Sequence, residues 1–417
     1  MAGWANYPVI KANVYEPQNA AELSALVREQ EQLIARGNGK SYGDASLAPV
    51  MVSTLSLSNI LDFDAENGII TCESGVLLSN LLRLMIPAGW FFPVTPGIKA
   101  ITVGGTIASD VHGKNHPVAG CFSNHLMSLT LVTADGNVLT CSRTENPDLF
   151  WQTCGGMGWT GVILSASFQL MRIKSTQMWQ KTVRASDLSG LFRAFEAHQD
   201  WPYAAAWVDC THARRRGAVY FARHMETQDG PLVFEEKKSK NIPFFAPSWF
   251  LNPLSIRAHN YFYNRKSVDG ERAVDLDHYF YPLDALQNWN RFYGRRGLVQ
   301  YQFCLPEAKA EEGMHKMLEI IEKSGETPFL SVLKRHGERP PEAIHSFPIK
   351  GYSLALDFPR TAGMPALVKQ LDECLLRYEG KIYLTKDALS RPEMGRVNPA
   401  TFGEQKFCSL LKTRIAH

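Results

Sequence analysis

The sequence predicts an α+β protein of two domains, on three observations. The chain has 417 residues, room for two or three domains at about 150 residues each, every one long enough to bury its own core. Its first third is a succession of short β-rich runs punctuated by glycine turns. From about Ile173 the helical patterns lengthen and alternate with strands, as in an antiparallel sheet covered by helices.

Taken in order, Asn19 and Glu22 form a capping pattern ahead of Leu23, Leu26 and Val27, so a helix starts near Ala20. Strands are expected at Gln32–Ala35, Val52–Leu57 and Gly68–Cys72. Leu78, Leu81, Leu82 and Met85 share one face of a helix over Leu78–Ile86. Leu126–Thr133 and Val138–Cys141 flank Asp135-Gly136, a hairpin turn, and Val162–Leu170 closes the region. In the second part, helices are expected at Asp187–His198, Leu283–Tyr293, Ala308–Lys323 and Met364–Tyr378. Strands are expected at Ala204–Val208, Ala218–Ala222, Val299–Leu305, Phe329–Leu333 and Tyr352–Asp357. The stretch from Glu235 to Phe262 reads as a long loop with exposed aromatics.

Composition removes whole classes. Apolar residues make up 45% and charged residues 20%, the soluble globular range, which excludes disordered and fibrous chains. With 44 basic and 41 acidic residues the net charge is +3, so no nucleic-acid partner is expected. No apolar run of about 18 residues predicts a transmembrane helix, and Met1–Lys11 has no basic region leading into an apolar core, so no signal peptide is expected. The eight cysteines form no Cys-x-x-Cys pair. Scattered single cysteines suit a reducing compartment, and most are expected buried.

Chemistry concentrates in four glycine-rich segments. Arg36-Gly-Asn-Gly-Lys-Ser-Tyr-Gly-Asp44 contains Gly39-Lys40-Ser41, half of a Walker A loop, but position 34 is Ile where that motif needs Gly. Dinucleotide spacing fails too, since Gly43 follows Gly39 one place late. Small residues after a strand still leave backbone N–H groups free to converge on a phosphate. In Thr102-Val-Gly-Gly-Thr-Ile-Ala-Ser-Asp110, Gly104 and Gly105 let a pyrophosphate approach the backbone, and Val103, Ile107 and Val111 space like a short helix whose N-terminus favours negative charge. His112 and His116 stand four apart, but without His-Glu-x-x-His and with Pro117 next, no metal site is expected. The fourth segment is Gly155-Gly-Met-Gly-Trp-Thr-Gly161. Two separated loops of this kind suggest a dinucleotide larger than a nucleoside triphosphate.

Together with Asp110-x-His-Gly-Lys-Asn-His116, these segments resemble the vanillyl-alcohol-oxidase superfamily of FAD enzymes. Within it the chain is most similar to the branch that oxidises lipid-phosphate-linked ribose. The likeness runs on through Trp207-Val-Asp209, Phe280-Tyr-Pro-Leu-Asp284, Trp289-Asn-Arg-x-Tyr293, Gln300-Tyr-Gln-Phe303, Asp357-Phe-Pro359 and Tyr383-x-x-Lys-Asp387. It implies a two-domain, PCMH-type FAD-binding fold: an FAD domain over 1–175, an antiparallel-sheet substrate cap over 176–380, and a segment over 381–417 returning to the FAD domain. Many members attach the flavin to a histidine at the position of Lys40, so the resemblance implies FAD held non-covalently.

By the same resemblance the cofactor is lined by Arg36, Gly37, Asn38, Gly39, Lys40, Ser41, Tyr42, Gly43, Asp44, Gly97, Thr102, Val103, Gly104, Gly105, Ser109, Asp110, Val111, His112, Ile163 and Tyr383. Lys386, His112 and Tyr42 are the implied catalytic residues, Lys386 serving either as a cation beside the reduced flavin or as a base with a lowered pKa. Lys114, Gln300, Gln302, Lys334, Ser353 and Ala355 are the implied substrate contacts; Gln300 and Gln302, two apart on one strand, face the same way. Ser353 and Ala355 depart from the asparagine and cysteine of that branch.

The activity implied is oxidation of a secondary hydroxyl of a polyprenyl-phosphoryl pentose by hydride transfer to flavin N5. An NAD(P)H-dependent keto-sugar reductase would complete an epimerisation in arabinan synthesis. A soluble sugar, alditol or aldonolactone oxidase is the alternative within the superfamily; a phosphate-binding transferase and a non-catalytic FAD-binding protein are the alternatives outside it. Localisation is expected to be cytoplasmic or peripheral at the inner membrane. Membrane contact is expected through Phe244, Phe245, Trp249 and Phe250, with Lys237, Lys238 and Lys240 meeting anionic lipid heads.

Overall fold

A computed structural model describes residues 1–228, 230–236, 239–247, 249–395 and 406–415. Lys237 and Lys238 therefore lie outside the described residues.

The first 172 residues build two small sheets and a two-stranded pair. A parallel sheet runs Asn13–Tyr15, Val50–Ser53, Ile34–Arg36, and an antiparallel sheet runs Ile60–Asp64, Ile69–Glu73, Val162–Gln169, Leu126–Val132, Val138–Ser142. The helix Ala20–Glu29 starts where Asn19 accepts the N–H of Glu22, and it buries Leu23, Leu26 and Val27. The hairpin closes at Gly136, whose φ of +76° is the left-handed conformation the Asp-Gly turn needs. The glycine segments sit between these sheets; one carries the short helix Val103–Ala108, capped by Thr102.

The second half is one antiparallel sheet of eight strands. Its order is Gly270–Asp275, Gln177–Ala185, Gly217–His224, Tyr203–Val208, Leu330–His336, Gly351–Pro359, Leu298–Pro306, Lys381–Ile382. The alternation of its central strands decides the rest. Tyr301, Phe303, Leu354 and Leu356 enter a core with Met314, Met317, Leu318, Leu367 and Leu371 of the helices Glu307–Ser324 and Met364–Arg377. Residues of opposite parity face away from those helices. Register pairs Gln300 with Asp357, Gln302 with Ala355, and Lys334 with Ser353 on that opposite face.

Four expectations need correction. The helix expected over Leu283–Tyr293 is two 3₁₀ turns, Pro282–Ala285 and Trp289–Tyr293, around a two-residue strand; Asn288 at φ +56° breaks any continuous helix there. The stretch read as loop to Phe262 turns helical at Pro253–Lys266, where Asn252 accepts the N–H groups of Leu254 and Ser255 and Pro253 fills the first turn. Two outer strands, Gln177–Ala185 and Gly270–Asp275, were not expected at all. Lys381–Ile382 is an edge strand of the large sheet, paired with Cys304 and Phe303. Only beyond it does the chain reach the first sheets, where Thr385 O accepts the N–H of Tyr42 and the segment at 406–410 bonds to Leu33 and Leu47. No helix among the described residues is long and apolar enough to cross a membrane.

Candidate active site

A cavity of about 920 Å³ opens between the glycine segments and the polar face of the large sheet, at the upper end of the ~300–1,000 Å³ usual for ligand and cofactor sites. Gly37, Asn38, Gly39, Lys40, Ser41 and Tyr42 form one wall, and Gly97, Thr102, Gly104, Gly105 and Ser109 continue it. Val111, His112, Ile163 and Tyr383 floor it; Lys114, Gln300, Gln302, Lys334, Ser353, Ala355 and Lys386 face it from the other side.

The glycine wall fits a bound diphosphate. A Cβ added at Gly97 would meet no protein atom within 4 Å, so the backbone there fronts open space, whereas one at Gly37 would stand 2.2 Å from Thr102 Oγ1. Gly39 has φ +60°, and a Cβ there would strike the Arg36 guanidinium. Among the described residues, Ser74 Oγ, His112 Nδ1 and Gln300 Oε1 are buried at this cavity with no hydrogen-bond partner, groups a polar ligand would satisfy. Lys40 Nζ lies 4.0 Å over the Trp4 ring, and burial lowers its pKa.

Five expected cofactor residues do not line the cavity. The Arg36 guanidinium donates to Ala2 O at 2.7 Å. Gly43 backs onto the Asp387 carbonyl, 1.5 Å from where a Cβ would sit. Asp44 accepts from Arg414, which also holds Asp387. Val103 is core. Asp110, at φ +37°, is fully buried and accepts from Ser123 N, Ser123 Oγ and Ser346 Oγ. These residues hold the wall in shape from behind; a non-glycine residue in the left-handed region two places before His112 is conformational strain fixed by three hydrogen bonds.

The electrostatics are one-sided. Burial alone brings Lys334 down to about 8; burial aided by the Lys334 charge brings Lys114 to about 7 and Lys386 to about 8. Lys386 Nζ stands 3.8 Å from the centroid of the Tyr42 ring, and the field of Asp357 supports its charge. Asp357 accepts from Gln300 Nε2 and is itself pushed up by burial. Tyr42 stays a neutral phenol, its pKa raised by burial. His112 is held neutral by burial and by Lys334. Gln302 Nε2 lies 3.2 Å from its Nε2; with the amide donating, the imidazole carries its proton on Nδ1.

Several residues at this site are not among the candidates named from the sequence. His336 Nε2 lies 2.6 Å from Ser353 Oγ, and the His336 ring packs edge-on against His112 and His116. Ser74 and Met157 line the wall. Ser255, His259 and Tyr263 reach the cavity from the unexpected helix; their spacing of four behind Asn252-Pro253 is the signal that finds them. The mouth is apolar, with Phe250, Leu251, Phe292, Phe329 and Leu330.

The family model described as an FAD binding domain matches residues 12–142. The chain is 32% identical to decaprenylphosphoryl-beta-D-ribose oxidase of Mycolicibacterium smegmatis over 94% of this chain and 90% of that one. It is 31% identical to an uncharacterised protein of Streptomyces coelicolor over 76% of this chain and 91% of that one. Similarity to L-gulonolactone oxidase of Mus musculus is 32% but covers only 37% of this chain and 36% of the relative.

Proposed function

The chain belongs to the FAD-binding oxidoreductases of the vanillyl-alcohol-oxidase type, and on that footing we propose that it oxidises a secondary hydroxyl of a polyprenyl-phosphoryl pentose, of the ribose 2′-hydroxyl kind, to a keto sugar. The observation that carries the substrate class is the cavity beyond the glycine wall: three lysines, Lys114, Lys334 and Lys386, stand inside an aromatic, apolar mouth. That is the chemistry of a phosphate followed by a lipid. The likeness to a ribose oxidase over 94% of the chain supports it, whereas the likeness to a lactone oxidase covers only 37%.

FAD, when bound, supplies the hydride acceptor. The glycine wall binds it without a covalent bond, since Lys40 is engaged with Trp4. Lys386, cationic beside Tyr42 and Asp357, would supply the positive charge that steadies a reduced coenzyme. The neutral His112, held through Nε2 by the Gln302 amide, offers its unpartnered Nδ1–H to the bound ligand, and the sugar hydroxyl proton leaves to solvent. Lys114 and Lys334 meet the substrate phosphate, and Gln300, Ser353 and Ala355 border the sugar. We assign residues 1–175 and the C-terminal segment beyond Ile382 to the cofactor domain and 176–382 to the cap. An NAD(P)H-dependent reductase would consume the keto sugar and complete the epimerisation.

Anaerobic titration of the purified yellow protein tests this. Polyprenyl-phosphoryl ribose should bleach the flavin band near ~450 nm, while free ribose and gulonolactone should not. A colourless protein that takes up no FAD, or equal bleaching by the free sugars, overturns the reading.

A further inference from the structure

Outside the cavity the helix Pro253–Lys266 carries an exposed surface that the site does not explain. Ser255, His259 and Tyr263 point to the cavity, and Ile256, Asn260 and Asn264 are buried. The remaining face is open and sets large apolar side chains among Arg257, Arg265 and Lys266: Leu254 is 79% exposed and Phe262 62%, with Tyr261, bonded by Arg265, beside them. The preceding loop adds Phe244 at 67% and Trp249 at 71%. Scattered exposed apolar residues need no explanation, but five large ones grouped on a single helix and its lead-in loop do.

The other flank of the same helix is basic. Asn264 borders a pocket completed by Arg184, Ser186, His212, Arg214 and Arg216. Arg216 is answered by Asp209 at 3.2 Å. Among the described residues Arg184 and Arg214 make no ion pair, and both are exposed. The acids close by are engaged: Asp187 caps Gly190 and reaches Arg193, and Asp269 accepts the Arg184 backbone N–H at 2.6 Å. Arg257, one turn before Tyr261 on the open face, adds its charge on the same side. Aromatic anchors, a cationic pocket and the mouth of the cavity thus share one helix. That is the composition of an interfacial helix, in which aromatics enter the headgroup boundary and arginines meet phosphates.

We propose that this face docks on an anionic lipid bilayer, with lipid headgroup phosphates seated in the pocket of Arg184, Arg214 and Arg216 and the helix Pro253–Lys266 lying in the interface. The docking would set the cavity mouth, bordered by Phe250 and Tyr263, against the membrane that holds a lipid-linked substrate. The purpose of the docking rests on the proposed function; its chemistry does not.

Flotation of the FAD-loaded full chain with vesicles is the test. Vesicles of phosphatidylcholine containing phosphatidylglycerol should carry the protein; vesicles of phosphatidylcholine alone should carry much less. At about fivefold per basic residue near the surface, Arg184→Ala with Arg214→Ala should lower partition onto the anionic vesicles by roughly twenty-fold. Phe262→Ser with Trp249→Ser should lower it on both vesicle types. None of the four residues lines the cavity, so flavin bleaching by a short-chain, water-soluble ribosyl phosphate should stay at the wild-type rate in each variant. Partition that ignores both pairs of substitutions overturns the docking, as does inorganic phosphate at millimolar concentration displacing the protein as well from neutral vesicles as from anionic ones. Failure of the substrate reading would show elsewhere, as wild-type protein that binds vesicles but is not bleached.

Discussion

The ammonium of Lys386 stands 3.8 Å above the ring of Tyr42, in the same cavity lining as Lys114 and Lys334. An aromatic face stabilises a desolvated cation, and Asp357 adds an opposite charge nearby. The group is therefore built to stay charged despite burial. Lys386→Met should leave the yellow colour, because the glycine wall is untouched, and should slow anaerobic flavin bleaching by about 10²–10³, the cost typical of losing one donor at a developing negative charge. Lys386→Arg should recover part of that loss. Stopped-flow reduction of the three proteins measures it; equal rates would remove Lys386 from the chemistry.

The pH profile separates cation from base. Lys386 titrates at about 8 in the fold, so a required ammonium gives a bleaching rate that is level at neutral pH and falls as pH rises through about 8. Asp357 raises that value, so Asp357→Asn should move the fall to lower pH. A rate that climbs through the same range would mean the free amine is the working form.

Much of this site is written locally in the sequence, and the remainder is not. The glycine segments announce themselves because backbone approach to a phosphate demands glycine at short spacing. Gln300 and Gln302 could be placed on one face because strand parity is strict, and the register with Ser353 and Ala355 puts them together. His336 had no such signature: it acts through Ser353, a partner on the neighbouring strand, and register across strands is a tertiary property. The helix Pro253–Lys266 was hidden by aromatics that break amphipathic order, since Leu254, Tyr261 and Phe262 stand on its outer face. Arg36, Asp44 and Asp110 sit in the right motifs yet turn away from the cavity, because each is committed to a backbone carbonyl, an arginine or serine donors behind the wall.

Cofactor binding and fold stability should separate at two glycines. A Cβ at Gly97 meets no protein atom, so Gly97→Val should melt like the wild-type apoprotein yet bind FAD at least tenfold more weakly, the side chain filling space the diphosphate needs. A Cβ at Gly37 would stand 2.2 Å from Thr102 Oγ1, so Gly37→Ala should destabilise the apoprotein itself by about 1–3 kcal/mol. Thermal melts without FAD, beside FAD titration, distinguish the two; a destabilised Gly97→Val apoprotein would show that the space at Gly97 is not cofactor space.

Acid stability should be governed in part by the three packed imidazoles of His112, His116 and His336. Burial holds all three below their ordinary value, His116 at about 4 and the others lower in direction. In the unfolded chain each titrates near ~6.5. Below that pH the unfolded chain takes up protons that the fold refuses, so stability is intact above about 6.5 and is lost as pH falls toward 4. His116 alone contributes on the order of 3 kcal/mol over that window. Asp357, pushed up to about 7 by burial, works in the opposite sense, so the decisive quantity is a difference between variants rather than one curve. His336→Phe removes one imidazole from the cluster while keeping an aromatic ring against His112 and His116. It should flatten the fall in thermal midpoint between pH 6.5 and 4.5, whatever its effect on the midpoint at pH 7.5. An unchanged slope would mean that His336 is protonated in the fold.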